Sequence, residues 1–356
     1  MTESPIRVLV VDDSAVVRGL LARALETDPS IKVVGTAMHG EQALGWMRRN
    51  PVGVVVLDVE MPVMDGLTAL TKIQEEFPAT HVVMASGLTY EGAETTVKAL
   101  ALGAAGCIAK PAARSTAESI ELLVKDLVPL VKALGAPQAH EVPAEIFPPQ
   151  SRTAAHQLVS PSLVVIGSST GGPKALTTVL SGLPRDFPLP ILIVQHMPPL
   201  FTPMLAKHLQ QDSGRPCQEA QHGQHIERNH TYVAPGDYHV VINKHDNHMI
   251  TTLNQDAPEH YCRPSVNPLF RSAAEWYGKS VLAVMLTGMG DDGIEGTRSI
   301  SARQGYIIAQ DQATSVVWGM PAAVVHENLA HEVLPLQQIA PAIMRLCSAE
   351  VARAVR

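Results

Sequence analysis

Cysteine is scarce in this chain: four residues in 356, Cys107, Cys217, Cys262 and Cys347, with no two at metal-ligand spacing. That excludes a zinc ribbon or a disulfide-stapled scaffold and points to reduced thiols. Aromatic residues make up only 4% of the chain against 46% hydrophobic overall, so the cores must be built from Val, Leu, Ile and Ala, as buried parallel sheets are. Positive charge is in deficit, and a formal net charge of −7 is the wrong sign for a general nucleic-acid binder. No apolar run approaches the roughly 18 residues of a membrane span, and nothing resembles a signal peptide. These absences describe a cytoplasmic protein with no nucleic-acid partner and no membrane insertion. Length is ample, since 356 residues suffice for two domains with separate cores.

The first half alternates strand and helix patterns. Strand-like runs fall at 7–11, 32–37, 54–58, 81–85 and 106–109, with helical patterns at 15–26, 41–49, 67–77, 91–102 and again after Pro111. Such βα units predict a doubly wound, five-stranded parallel sheet whose ligands bind beyond the strands' carboxyl ends. Asp12 and Asp13 end the first strand, Asp58 the third, Ser86 follows the fourth, and Lys110-Pro111 ends the fifth. Three carboxylates on one edge repel one another unless a cation intervenes, and Mg²⁺ is the usual occupant of such an all-oxygen site. A lone acid at a strand end usually caps the next helix; the joint pattern on four strand ends goes beyond that. Asp58 is the candidate to carry a phosphoryl group, with Lys110 and the Ser86 hydroxyl stabilising it.

This half resembles the receiver domain of two-component response regulators over essentially its whole length. Leu-Asp-Val-Glu-Met-Pro-Val-Met-Asp-Gly around Asp58 matches the phospho-acceptor motif, and Lys110-Pro111 matches the lysine step. The resemblance implies phosphorylation of Asp58 by a histidine kinase, Mg²⁺ held by Asp12, Asp13 and Asp58, and Ser86 and Lys110 as switch residues. Cys107 stands where many receivers carry an aromatic switch residue. From 135 to 161 periodicity fails, and Pro137, Pro143, Pro148, Pro149 and Pro161 fall among Ala, Gln and Ser. That composition stays extended and builds no core. The predicted domains are 1–134, a linker at 135–161, and 162–350.

The second half repeats α/β patterning, with strands at 163–167, 190–195, 231–234, 239–242, 280–286 and 305–310. Helical patterns fall at 173–180, 200–211, 267–277, 293–303 and 321–325. A mostly parallel sheet is expected, with a β-hairpin around Pro235-Gly236-Asp237. Ser169, His196 and Asp292 each lie just past an apolar strand. A serine hydroxyl needs a base to take its proton as it attacks, an imidazole suits that task near neutral pH, and a carboxylate fixes the imidazole's tautomer. The turn after Ile166 also suits a bound phosphate. However, Gly167, Gly171 and Gly172 do not have dinucleotide-fingerprint spacing, and no Gly-Lys-Ser/Thr follows. The Gly-x-Ser-x-Gly elbow is absent too, so spacing alone leaves both readings open. Seven histidines between His222 and His260 lack metal-site spacing and read as surface or hydrogen-bonding residues.

Four motifs then carry a second resemblance: Gly-Ser-Ser-Thr-Gly-Gly at 167–172, Gln-His-Met-Pro at 195–198, Arg-Pro-Ser-Val at 263–266, and Leu-Thr-Gly-Met-Gly-Asp-Asp-Gly at 286–293. They are similar to the catalytic domain of chemotaxis protein-glutamate methylesterases, the CheB family. The resemblance assigns the nucleophile to Ser169, the base to His196 and the acid to Asp292, with Thr170 and Met289 supporting the histidine and the oxyanion. Arg263 either meets a substrate carboxylate or ties down a loop, and Asn267 stands where relatives usually carry Asp. The resemblance implies a monomer that hydrolyses glutamate γ-methyl esters on methyl-accepting chemoreceptors and deamidates selected glutamines, with no cofactor for the esterase reaction. It also implies that the unmodified receiver covers the catalytic face until phosphorylated. Two other readings are a non-catalytic, receptor-binding phosphate sink and a transcription factor, the latter disfavoured by the lack of a basic recognition helix.

Overall fold

The computed structural model describes residues 4–87, 89–110, 115–135 and 160–348. They belong to two compact units that divide between Val142 and Pro143. Most of the predicted linker, 136–159, lies outside the described residues.

The first unit runs β1 (Ile6–Val11), α1 (Ala15–Leu25), β2 (Ile31–Ala37), α2 (Gly40–Met47), β3 (Val54–Asp58), α3 (Gly66–Glu76), β4 (His81–Ser86), α4 (Tyr90–Leu102), β5 (Gly106–Ala109) and α5 (Thr116–Gly135). The five strands order as β2-β1-β3-β4-β5 with every pair parallel. β3, Val-Val-Val-Leu-Asp, is buried throughout, the continuous apolar run expected of a strand covered on both faces. Its register with β1 pairs Val11 with Leu57, which brings Asp12 and Asp58 to one edge. The Met-Asp-Gly that follows serves the backbone. Asp65 Oδ1 accepts the Thr68 N–H at 2.8 Å and caps α3. A Cβ on Gly66 would fall 2.1 Å from the Asp58 carbonyl oxygen, so only glycine lets α3 start there.

The second unit runs β6 (Leu163–Ser168), α6 (Gly172–Ser181), β7 (Ile191–Gln195), α7 (Thr202–Ser213), β8 (Cys217–Glu219), β9 (Gln224–His225), β10 (Thr231–Val233), β11 (His239–His245) and β12 (His248–Asn254). It continues with α8 (Val266–Tyr277), β13 (Val281–Met285), α9 (Ile294–Ala302), β14 (Tyr306–Gln310), α10 (Met320–His326), β15 (Glu332–Leu334) and α11 (Leu336–Leu346). Seven strands form one parallel sheet, β15-β14-β13-β6-β7-β10-β8, while β11-β12-β9 form a separate antiparallel one. Val266, Leu269 and Phe270 of α8 pack with Val165, Ala283 and Met285 of the central strands in one buried cluster.

The hairpin expected around Pro235-Gly236-Asp237 is not there. That segment carries the chain from β10, paired to β7, across to β11 in the other sheet. It is held by the Gly236 N–H donating to Thr202 Oγ1 at 3.0 Å, and a Cβ at Gly236 would fall 2.3 Å from Pro199 N. The hairpin comes one strand later. β11 pairs with β12 and His245 faces His248 across a turn in which Asp246 takes φ 52°, a backbone that Asp and Asn tolerate.

Candidate active site

Three neighbouring strand ends, β13-β6-β7 in sheet order, build the site. The β6–β7 register pairs Ser168 with Gln195, so Ser169 and His196 leave the sheet side by side. Ser168 is fully buried and donates to Gln195 Oε1 at 2.7 Å. The same glutamine's Nε2 donates to the carbonyls of Ser169 at 2.9 Å and His196 at 3.3 Å, tying the two turns together. Pleating turns the half-buried Ser169 to the opposite side. Gly171 takes φ 76° at the cap of α6, where a Cβ would meet Val316 at 2.5 Å.

His196 Nε2 lies 2.7 Å from Asp292 Oδ2. Asp292 is buried and accepts two further bonds, from Ser265 Oγ at 2.6 Å and the Val266 N–H at 2.7 Å. The carboxylate therefore sits at the N-terminus of α8, where the helix dipole favours an anion. Burial alone would push Asp292 up, yet the bonds from His196, Ser265 and Val266 outweigh it and hold its carboxyl below the ordinary value. Burial likewise pulls His196 down, and its bonds to Asp292 and Cys262 carry it up to about 9. With Nε2 committed to the acid, Nδ1 is the nitrogen left to accept a proton.

Cys262 Sγ occupies that side, 3.5 Å from His196 Nδ1. The structure thus joins His196 to Asp292 and leaves Ser169 on the adjacent strand end, its hydroxyl without a hydrogen bond among the described residues. The Ser169 and Gly288 N–H groups are consumed by the Thr287 and Val317 carbonyls, each at 3.0 Å. Among the described residues no hydrogen bond occupies the N–H of Thr170 or Met289. A Cβ on Gly288 would fall 2.9 Å from Ser169 Cβ, so the two glycine turns touch only because that residue lacks a side chain. Thr170 makes no hydrogen bond to His196; its carbonyl accepts from Thr287 Oγ1 at 2.9 Å.

Other residues resolve differently from their sequence roles. Every nitrogen of the Arg263 guanidinium is engaged, Nε and Nη2 on Asp237 Oδ1 and Nη1 on the carbonyls of Gln255 and Asp256. Of its two expected roles, the loop tie is the one observed. Asn267 is buried, donating to Glu295 Oε2 at 2.7 Å and accepting the Gly296 N–H at 2.8 Å, so it joins α8 to α9. Buried His239 accepts the Ser265 N–H at Nδ1 and faces the Ala257 carbonyl with Nε2, a neutral imidazole used as a spacer. Sequence reasoning passed over Ser265, Cys262 and Gln195. Ser265→Ala is expected to lower kcat by roughly tenfold to a hundredfold, since an unmet acceptor on a buried carboxylate costs about 1.5–3 kcal/mol. Methanol-release kinetics on purified variant, with near-ultraviolet circular dichroism to show retained packing, checks this.

At the receiver edge, one oxygen each from Asp12, Asp13 and Asp58 lie within 4.8 Å of one another. Lys110 Nζ contacts Asp12 Oδ2 at 2.7 Å and Asp58 Oδ1 at 2.6 Å. Burial pushes the Asp58 carboxyl up, Asp12 adds to that, and Lys110 offsets only part of it. An all-carboxylate cluster with one lysine to neutralise it fits a hard divalent cation. The Ser86 hydroxyl donates to the Gly87 and Gly92 carbonyls at 3.1 and 3.2 Å, so it is turned to backbone and not to Asp58.

Together these features define a two-part α/β protein: a unit with an acidic edge, then one with an acid–imidazole pair beside a turn serine. The family model described as CheB methylesterase matches residues 164–343, and that of the response regulator receiver domain matches 8–120. A protein of Rhodospirillum rubrum named protein-glutamate methylesterase/protein-glutamine glutaminase 1 is 46% identical over 96% of this chain and 95% of its own length. A Caulobacter vibrioides protein named protein-glutamate methylesterase/protein-glutamine glutaminase 2 is 47% identical over 95% of this chain and 97% of its own. The crystal structure of the Thermotoga maritima CheB methylesterase catalytic domain aligns with a TM-score of 0.52 at 40% identity, covering 53% of this chain and all of that one. The chain belongs to the CheB methylesterase family.

Proposed function

We propose that this protein is a phosphorylation-activated protein-glutamate methylesterase that hydrolyses γ-methyl esters on methyl-accepting chemoreceptors in the cytoplasm and deamidates selected glutamines. The observation that carries the reading is the His196–Asp292 pair, anchored by Ser265 and set on the strand end next to Ser169. His196 takes the Ser169 proton at Nδ1 as Oγ attacks the ester carbonyl, then returns it to the departing methoxide. Water, deprotonated by the same nitrogen, attacks the acyl-enzyme, releases glutamate and restores the serine. With a glutamine side chain the proton goes to the departing ammonia instead. The N–H groups of Thr170 and Met289 receive the oxyanion; removing one such donor typically costs about 3–4 kcal/mol of barrier.

Asp58 accepts a phosphoryl group from a histidine kinase, with Lys110 pairing with the phosphoryl oxygens; Asp12, Asp13 and Asp58 would hold a Mg²⁺ ion through one oxygen each. A metal bound there would screen the negative charge as the phosphoryl group arrives. The added charge and acceptor oxygens change the local packing of the receiver, and esterase activity rises with it. No described helix is long and apolar enough to cross a membrane; the protein is read as a monomer acting on the cytoplasmic helices of a receptor.

The test is methanol release from a methylated receptor, with and without a small phosphodonor in Mg²⁺ buffer. Release that rises severalfold with the donor supports the reading; silence in both conditions sinks it in favour of a phosphate sink. Asp58→Asn is expected to keep basal release and lose the stimulation entirely. Stimulation equal to the parent protein would move the phosphoryl site elsewhere.

A further inference from the structure

Ser169 can serve as nucleophile only if its O–H reaches His196 Nδ1, and another side chain is already there. Cys262 Sγ lies 3.5 Å from that nitrogen, while Nε2 is held at 2.7 Å by Asp292. We propose that Cys262 is a positioning residue for the base, withholding His196 Nδ1 from Ser169 until substrate enters. This rests on the esterase reading of the same site.

The placement of Cys262 is enforced from several sides. Glu259 and Cys262 bridge across a two-residue turn, the Cys262 N–H donating to the Glu259 carbonyl at 2.8 Å and the Glu259 N–H to the Cys262 carbonyl at 3.2 Å. The turn residues, His260 and Tyr261, take φ 49° and 62°, a left-handed conformation that bulky residues adopt only where surroundings impose it. Arg271 grips the Glu259 carboxylate with both terminal nitrogens. His260 is held by Asp291 at 2.8 Å and Glu295 at 3.1 Å, and Arg263, next in the chain, is fixed to Asp237. These ties fix the backbone that carries Cys262, so moving the thiol off the imidazole takes a rotation of its own side chain.

Either proton arrangement of the pair denies Nδ1 to Ser169, but only the second raises the imidazole's affinity for its proton. A neutral thiol donates its S–H to Nδ1 and fills the lone pair that Ser169 needs. A thiolate accepts an N–H from the imidazolium, and the base is then already protonated. The charged group bonded to the ring is Asp292, from the turn before α9, while His260, Asp291 and Glu295 form a linked set of their own. The raised proton affinity of His196, to which Cys262 contributes alongside Asp292, accords with the second arrangement.

The test uses the full chain as parent, Cys262→Ala and Cys262→Ser. Catalysis needs neutral His196, so kcat/KM falls as pH drops through its titration. Without the thiol that acid limb is expected to move down by roughly one pH unit, raising kcat at pH 7 by several-fold to about tenfold with KM little changed. Cys262→Ser, whose hydroxyl does not ionise, moves the limb the same way. Nuclear magnetic resonance titration of the His196 imidazole in the three proteins, without substrate, should show the matching fall in midpoint. An unmoved midpoint overturns the proposal, as does a lowered midpoint with no gain in kcat at pH 7. If the parent releases no methanol, the esterase reading fails, while the imidazole titration still decides whether Cys262 governs His196.

Discussion

Ser169→Ala is expected to lower kcat for methanol release by about 10⁶-fold, the scale seen when the nucleophile of a serine–histidine–acid unit is removed. The residual rate would come from the oxyanion donors and binding alone. Ser168→Ala should behave differently. Its hydroxyl is buried and bonded to Gln195 Oε1 at 2.7 Å, so the loss falls mainly on stability, about 1–2 kcal/mol for a buried acceptor left unmet. Single-turnover release from methylated receptor, with denaturant midpoints for both variants, separates the two serines. Full activity in Ser169→Ala with loss in Ser168→Ala would reassign the nucleophile. Loss in Cys262→Ala with activity kept in Ser169→Ala would give the role to the thiol that shares the imidazole.

Motif resemblance assigns the nucleophile to Ser169, but the bond that occupies the Ser168 hydroxyl is visible only in the structure. The strand ending at Gly167 was legible because β-branched residues stop abruptly at small ones, and the parallel sheet followed from repeated βα units. The Pro235-Gly236-Asp237 signal was real as a turn but misread as a hairpin, because which sheet a strand joins is settled by long-range pairing. β8, β9 and β15 are only two or three residues long, too short for any period to register. His196 and Asp292 stand 96 residues apart, and their meeting was inferred from motif resemblance. The supporting atoms had no such marker. Ser265 caps α8, and its one hydroxyl both accepts from the Asn267 N–H and donates to Asp292. Nor does a sequence say which imidazole nitrogen faces the acid.

Because Nε2 faces the acid here, Asp292→Asn tests charge apart from geometry. Asp292 Oδ2 receives two donors, His196 Nε2 and the Val266 N–H, whereas Oδ1 receives only the Ser265 hydroxyl. An asparagine that keeps its oxygen in the Oδ2 position preserves both bonds and turns its NH₂ toward Ser265, whose hydroxyl can rotate to accept. The imidazole then keeps its tautomer and orientation but loses the anion that stabilises it once protonated. We expect kcat to fall by about 10²–10⁴-fold, the upper figure matching acid-to-amide changes that also disturb the tautomer. The acid limb of kcat/KM should shift to lower pH. Stability should change with pH in a paired way. His196, raised to about 9 when folded, contributes most below its unfolded value of about 6.5 and loses that contribution as pH rises through 9. Asp292, held below the ordinary carboxylate range, contributes above that range and loses its share as the solution is acidified. The parent protein should therefore lose stability between about pH 6.5 and 9 relative to Asp292→Asn, read as melting temperature against pH. Parallel curves for the two proteins, or an unshifted acid limb, would mean that Asp292 contributes no charge to the imidazole.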